Sequence, residues 1–365
     1  MGKRVVVGGL FAFLAACGGG VEPAGTSDPV AVSPPAEQGI YRPASPGGPD
    51  RVADGLGAPS ALAMTDDRVI FTTRTTTIGG EPVAAGALFV ADKRVGPALM
   101  IALDRQGASF DALAADATTA FVATSDARLL AVPASGGATK VLATLDGPAI
   151  ALTTSGNYVY FATNSGALGR VAKKGGAAES LATITGAIRG LQADDAAVYV
   201  ASGASEETAA GIVRVALDGS VKALTSGAEP CAMIRDGRSL YWTSLADGNG
   251  GDPTKLAKGA VFHLSLDGGA VKTVASGSFG ACAIAADQDS LYFATTLPNA
   301  LPVKSGGPGV APASGLGLMR APIAGGEPVA VAQASRALTQ PGAVAVDGQH
   351  IYWLTETAVL RLRKK

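Results

Sequence analysis

Side chains able to do chemistry are sparse in this chain. Its two histidines, His263 and His350, stand near no serine or cysteine in a pattern of nucleophilic catalysis. A histidine-based metal cluster would need more of them. The stretch Asp247-Gly248-Asn249-Gly250-Gly251-Asp252 has the oxygen-rich look of a calcium loop, with Asp247, Asn249 and Asp252 as the candidate Ca2+ ligands. A complete EF-hand asks for more acidic ligands and a distal glutamate, which this stretch lacks. A flexible Gly-rich loop is the plainer reading. Two cysteines, Cys231 and Cys282, and two opposite charges, Asp111 and Arg189, remain. Their common feature is their place in a repeat.

That repeat is a short aromatic or aliphatic strand ending in Thr or Ser. Its seven copies are Ile70-Phe71-Thr72-Thr73, Phe121-Val122-Ala123-Thr124, Tyr160-Phe161-Ala162-Thr163, Tyr199-Val200-Ala201-Ser202, Tyr241-Trp242-Thr243-Ser244, Tyr292-Phe293-Ala294-Thr295 and Tyr352-Trp353-Leu354-Thr355. They recur roughly 40 to 60 residues apart, the spacing of a four-stranded propeller blade with loops of variable length. A unit this small cannot bury its own faces, so the copies must stack. The chain is predicted to be all-β, a seven-bladed β-propeller with four-stranded blades.

Aligned on this strand, further columns appear. Five residues before its first position stand Asp116, Asp194, Asp236, Asp287 and Asp347, with Thr65 and Ser155 in the other two blades. Short polar side chains that bond their own backbone suit a tight strand-to-strand turn, so these aspartates are expected to form turns rather than act as catalytic acids. Upstream lies the innermost strand, with a small column (Ala61, Ala112, Ala151, Gly190, Ala232, Ala283, Ala343) beside a large one (Leu62, Leu113, Leu152, Leu191, Met233, Ile284, Val344). Successive strand side chains point to opposite faces, so one face stays narrow near the axis while the other fills the gap between blades. The third strand ends in a glycine turn such as Lys174-Gly175-Gly176. Five residues before each turn glycine come Ala131, Arg170, Arg214, His263 and Arg320.

Cys231 and Cys282 share a column at the start of the inner strand, near the axis, with Ser60, Asp111, Ile150, Arg189 and Gly342. In an exported protein two thiols tend toward a disulfide. Equivalent residues point the same way round the ring, however, and a bond needs their Cα atoms within ~7 Å, so a disulfide and two buried thiols both stay open. If the column rings the channel mouth, Asp111 and Arg189 are the polar groups best placed to meet a ligand; solvating the entrance is the plainer role. Long insertions follow the second strand in blades one (Arg74–Gly86), five (Leu245–Gly259) and six (Thr296–Gly315), and a shorter one in blade four (Gly203–Gly211). All join second to third strands and should gather on one face, where loops on a rigid scaffold commonly bind.

The C-terminal run Val359-Leu360-Arg361-Leu362-Arg363 reads as a third strand without a fourth. Arg51-Val52-Ala53-Asp54-Gly55 resembles an outer strand and is predicted to complete blade seven, closing the ring. Ile40-Tyr41-Arg42 also resembles a third strand, which would give the last blade two strands from each end.

The N-terminus reads as an export signal: Lys3 and Arg4, then the apolar run Val5 to Ala16, well short of the ~20 residues of a spanning helix. The run ends Leu14-Ala15-Ala16-Cys17, which resembles the lipobox of bacterial lipoproteins. That resemblance implies cleavage before Cys17, lipidation of Cys17 and, with Gly18 following, sorting to the outer membrane. Residues 1–16 would then be signal peptide, 17–38 a lipidated Cys with a Gly-, Pro- and Ser-rich tether, and 39–365 the propeller. The repeat itself resembles the YWTD and NHL class of β-propellers, most clearly at Tyr241-Trp242-Thr243 and Tyr352-Trp353-Leu354-Thr355, although the acidic fourth residue of YWTD is absent.

The formal net charge is −1, with no basic stripe, which argues against a nucleic-acid partner. The sequence therefore predicts a non-catalytic binding or scaffolding module. It would be held to the bacterial cell envelope only by its lipid and would meet an envelope protein, peptide or glycan with the long-loop face. The alternative is a propeller enzyme, a metal-dependent lactone hydrolase or lyase, acting at the channel mouth.

Overall fold

The computed structural model describes residues 49–78, 81–93, 98–244, 259–277, 280–296, 317–333, 343–355 and 357–364. They form seven antiparallel four-stranded sheets and one two-stranded hairpin, Thr76–Ile78 with Glu81–Val83, inside the blade-one insertion. Blade two shows the pattern: inner strand Phe110–Ala115, second strand Thr119–Thr124, third strand Arg128–Pro133 and outer strand Lys140–Thr144. The last sheet takes its inner three strands from Val344–Val346, His350–Leu354 and Val359–Arg363, and its outer strand, Asp50–Ala53, from the other end of the chain. Asp50 pairs with Arg361 and Ala53 with Val359, and Arg361 donates to Asp50 Oδ2 at 2.9 Å and to the Lys93 carbonyl at 2.7 Å. Ile40-Tyr41-Arg42 lies outside the described residues. Among the described residues, no helix is long and apolar enough to cross a membrane.

The core is divided into seven wedges, each between two neighbouring blades, and the repeated strand explains why. Its first residue packs toward the following blade and its second toward the preceding one. Phe121 belongs to the wedge between blades two and three, and Val122 to that between one and two. Tyr292 and Trp353 meet between blades six and seven, while Tyr352 packs with Phe71 between seven and one. Two adjacent bulky residues on opposite faces of a strand thus join every blade to both neighbours, and no blade could keep its apolar surface from water alone.

The Thr or Ser that ends the strand has its own task. Thr124, Thr163 and Thr355 each accept from a backbone amide across the second-to-third turn, those of Arg128, Ala167 and Ala358, at 2.9–3.1 Å. A short hydroxyl that satisfies a turn amide fits that position better than an apolar side chain.

Candidate functional site

The strand order gives the ring two faces. One carries the first-to-second turns and third-to-outer turns; the other carries the second-to-third loops and the starts of the inner strands.

On the turn face, four of the aspartates behave as the sequence predicts. Asp116 Oδ1 accepts from the Thr118 and Thr119 amides, Asp194 from Ala196 and Ala197, Asp287 from Asp289 and Ser290, and Asp347 from Gln349 and His350, at 2.7–3.1 Å. Asp236 departs from this role. It ends its inner strand, paired with Ser239, and Gly237 makes the turn at φ +55°. Ser155, Gly156 and Tyr158 repeat that two-residue hairpin in blade three, with φ +51° at Gly156. A left-handed glycine closes such a turn without a capping carboxylate.

The second carboxylate oxygen carries a bond that the column alignment missed. Tyr199, Tyr292 and Tyr352 donate their hydroxyls to Asp194, Asp287 and Asp347 at 2.9–3.0 Å. Across the sheet the same tyrosines pair with Arg214, Arg320 and Arg361, and Tyr160 and Tyr241 with Arg170 and His263. Where the strand begins with Phe121 or Ile70, the facing residue is Ala131 or Val90. A phenol opposite arginine or, once, histidine, and a hydrocarbon opposite a hydrocarbon, is a covariation readable within this one sequence. In blade two, which lacks the phenol, Lys173 of blade three donates to Asp116 Oδ2 at 2.9 Å and lies over the Phe121 ring.

Burial works to raise all four capping carboxyls, and the bonds they accept outweigh it. Lys173 and two amides act on Asp116, two amides and Tyr199 on Asp194, Lys364, two amides and Tyr292 on Asp287, and two amides and Tyr352 on Asp347. Each sits below the ordinary carboxylate range. The histidines are part of the same fabric. His263 stacks on Tyr241 and meets Ser239 Oγ at 3.0 Å, and desolvation, aided by Lys272, lowers its pKa. His350 is lowered by desolvation and by Arg361. Both are therefore neutral at pH 7.

The loop face is built differently. Among the described residues, the inner strand of six blades carries a bulge, where one residue is skipped in the pairing with the second strand. The skipped residues are Ser60, Asp111, Ile150, Arg189, Cys231 and Cys282. The column that holds the candidate ligands is thus the bulge column. Bulges bend the strand and re-aim a side chain, and this resolves the cysteine question. Cys231 and Cys282 are joined in a disulfide, with their Cα atoms 4.8 Å apart.

Asp111 and Arg189 stand in this ring two blades apart, with the exposed Ile150 between them. Asp111 Oδ1 accepts from Ser109 Oγ at 2.7 Å. Arg189 Nη2 lies 3.3 Å from Glu229 Oε1, each side chain nearly half exposed. Glu229 precedes the blade-five inner strand and has no repeat signature, so sequence columns could not flag it. Farther from the axis, the buried Asp104 binds Arg128 at 2.6 Å and accepts from the Gln106 and Ala108 amides, tying blade one to blade two on this face. What the ring offers is a mixed rim of carboxylate, guanidinium, aliphatic and disulfide groups suited to binding.

Among the described residues, no group of three or more His, Cys, Asp or Glu side chains is placed to hold a metal ion. Asp247, Asn249 and Asp252, the blade-five and blade-six insertions, and Cys17 lie outside the described residues.

No protein-family model matches the chain, and neither does any curated protein. Solved structures resemble it in fold. YCF48 bound to D1 peptide aligns at 13% identity over 90% of this chain and 100% of that one, with a TM-score of 0.57. BamB from Moraxella catarrhalis aligns at 13% over 87% and 97%, with 0.54. The WD40 β-propeller domain of Doa1 aligns at 9% over 87% and 98%, with 0.58. At such identities the likeness is one of architecture, and the chain is a seven-bladed β-propeller.

Proposed function

We propose that this chain is a non-catalytic binding or scaffolding propeller of a bacterial cell envelope, lipid-anchored through Cys17, of YWTD or NHL type. It meets a protein or peptide partner with its loop face. The observation that carries the reading is the division of labour between the faces. On the turn face the capping carboxylates are held by backbone and neighbouring side chains. On the loop face a bulge displaces one inner-strand residue, variable in type, in each of six blades, beside the ends of the long second-to-third insertions. Propeller structures of similar architecture include one bound to a peptide, YCF48 with D1. The fold by itself carries no function, so the weight rests on the rim. Outer-membrane sorting of the anchor rests on Gly18, which follows Cys17.

Shortening the blade-five and blade-six insertions to glycine turns should leave thermal unfolding intact and abolish retention of an envelope partner on the immobilised chain. Retention that survives the truncation would show that the assigned face is wrong.

A further inference from the structure

The third position of the repeated strand is alanine or leucine in five blades: Ala123, Ala162, Ala201, Ala294 and Leu354. Blades one and five carry a threonine there, Thr72 and Thr243. The same two blades also match across the bulge. Pro59-Ser60-Ala61 skips Ser60 and pairs Ala61 with Thr72, while Pro230-Cys231-Ala232 skips Cys231 and pairs Ala232 with Thr243. Cys231 is thus the counterpart of Ser60, with sulfur in place of oxygen.

Blade one shows what this bulge does with a free hydroxyl. Ser60 Oγ lies 2.9 Å from Thr72 Oγ1 and donates to the blade-two Phe110 carbonyl at 3.1 Å. In blade five the sulfur that would take this seat is bonded instead to Cys282 of blade six. Thr243 is fully buried, and its hydroxyl has no hydrogen-bond partner among the described residues. A buried hydroxyl left unbonded is costly, yet the four other bulged blades manage with alanine at this position. The group across the bulge from it is the one whose bonding capacity changes with oxidation state. A disulfide sulfur has no proton to give and accepts weakly, whereas a thiolate accepts a hydroxyl well. Both cysteines are partly exposed, which gives an outside thiol the access that exchange requires.

We propose that Cys231–Cys282, which staples blade five to blade six when oxidised, is a reversible thiol–disulfide exchange site. Thr243 is the positioning residue that receives Cys231 when the bond opens. The thiolate of an incoming thiol attacks Cys282 Sγ. A new S–S bond forms there as the Cys231–Cys282 bond breaks, and the electron pair passes to Cys231 Sγ. The incoming thiol is oxidised to the mixed disulfide and Cys231 is reduced, so the electrons balance. Thr243 Oγ1 donates to the departing sulfur, and a stabilised leaving thiolate leaves faster. Cys231 then takes a proton from water and occupies the seat that Ser60 holds in blade one. In reverse, the Cys231 thiolate attacks the mixed disulfide and expels the incoming thiol. This reaction does not depend on the partner assigned to the rim.

The test treats the full folded chain with reduced glutathione, alkylates the freed thiol and locates the adduct by peptide mass mapping, with the Cys17 peptide scored apart. Glutathione is expected on Cys282 and the alkyl group on Cys231. Thr243→Val, which keeps the shape and removes the hydroxyl, should slow opening roughly tenfold, the worth of one hydrogen bond to a charged group. A merely structural threonine would weaken both redox states alike. Here Thr243→Val should leave the unfolding midpoint of the oxidised chain unchanged or raised and lower that of the reduced chain. Thr72→Val, which removes a bond made in either state, should lower both. The proposal is overturned if glutathione opens the bond only when the ring unfolds, or if the adduct falls on Cys231. It is equally overturned if Thr243→Val opens as fast as the parent, or shifts both midpoints together.

Discussion

The two faces of this ring follow opposite rules. On the turn face one residue type recurs from blade to blade, and each capping aspartate is held by the backbone and a neighbouring side chain. On the loop face the bulge column changes identity at almost every blade, from serine to aspartate, isoleucine, arginine and cysteine. Repetition marks what every blade needs in order to fold. Variation at a position that the backbone displays marks what differs between blades, which is where recognition can arise.

The comparison breaks first at the disulfide, the one place where the variable column is structural. Replacing Cys231 and Cys282 together by serine releases a loop with a sequence separation of 51 residues. Urea unfolding should show a loss of about 3 kcal/mol, matched by adding reductant to the parent protein. An unchanged midpoint under reduction would mean that the bond does not constrain the ring. A smaller effect separates the faces directly. Asp347→Ala orphans two amides and the hydroxyl of the fully buried Tyr352, and should cost about 2 kcal/mol. Asp111→Ala, its counterpart on the loop face, should stay within about 0.5 kcal/mol. Equal losses would erase the distinction.

The smallest effect is the dependence on acid. Asp116, Asp194, Asp287 and Asp347 have folded pKa values below those of the unfolded chain. The unfolded state therefore takes up protons first as pH falls. The stability these carboxylates supply is complete above the ordinary carboxylate range, near pH 4, and is lost progressively as pH drops through their depressed values. Asp347→Asn should flatten the slope of unfolding free energy against pH in that window. A slope identical to the parent's would show that this carboxylate is not held as its bonds imply.

Much of the fold was legible because it rests on composition at fixed intervals. The bulky pair at the head of each second strand, the small and large inner columns and the glycine turns state the blade directly. The Asp–Tyr–Arg constellations were legible too, yet needed three columns compared at once. The bulges were not. An extra residue in one strand leaves no mark in the hydrophobic pattern, since it shows only in which partner each residue faces. With the bulge hidden, Cys231 and Cys282 looked aligned in parallel, and their approach could not be derived. Glu229 escaped for a related reason: it lies outside every repeat, and only folding brings it to Arg189.

The joining strand Asp50–Ala53 has a mechanical consequence. It enters the ring at the turn face and runs toward the loop face, antiparallel to Val359–Arg363. A pull on the chain upstream of Asp50, resisted by a partner held at the loops, would act along the strand's own axis. The ladder to the C-terminal strand and the Arg361–Asp50 bond would then be loaded together, in shear, rather than peeled one at a time. Placing the seam there lets the closure of the ring bear tension along the joining strand itself.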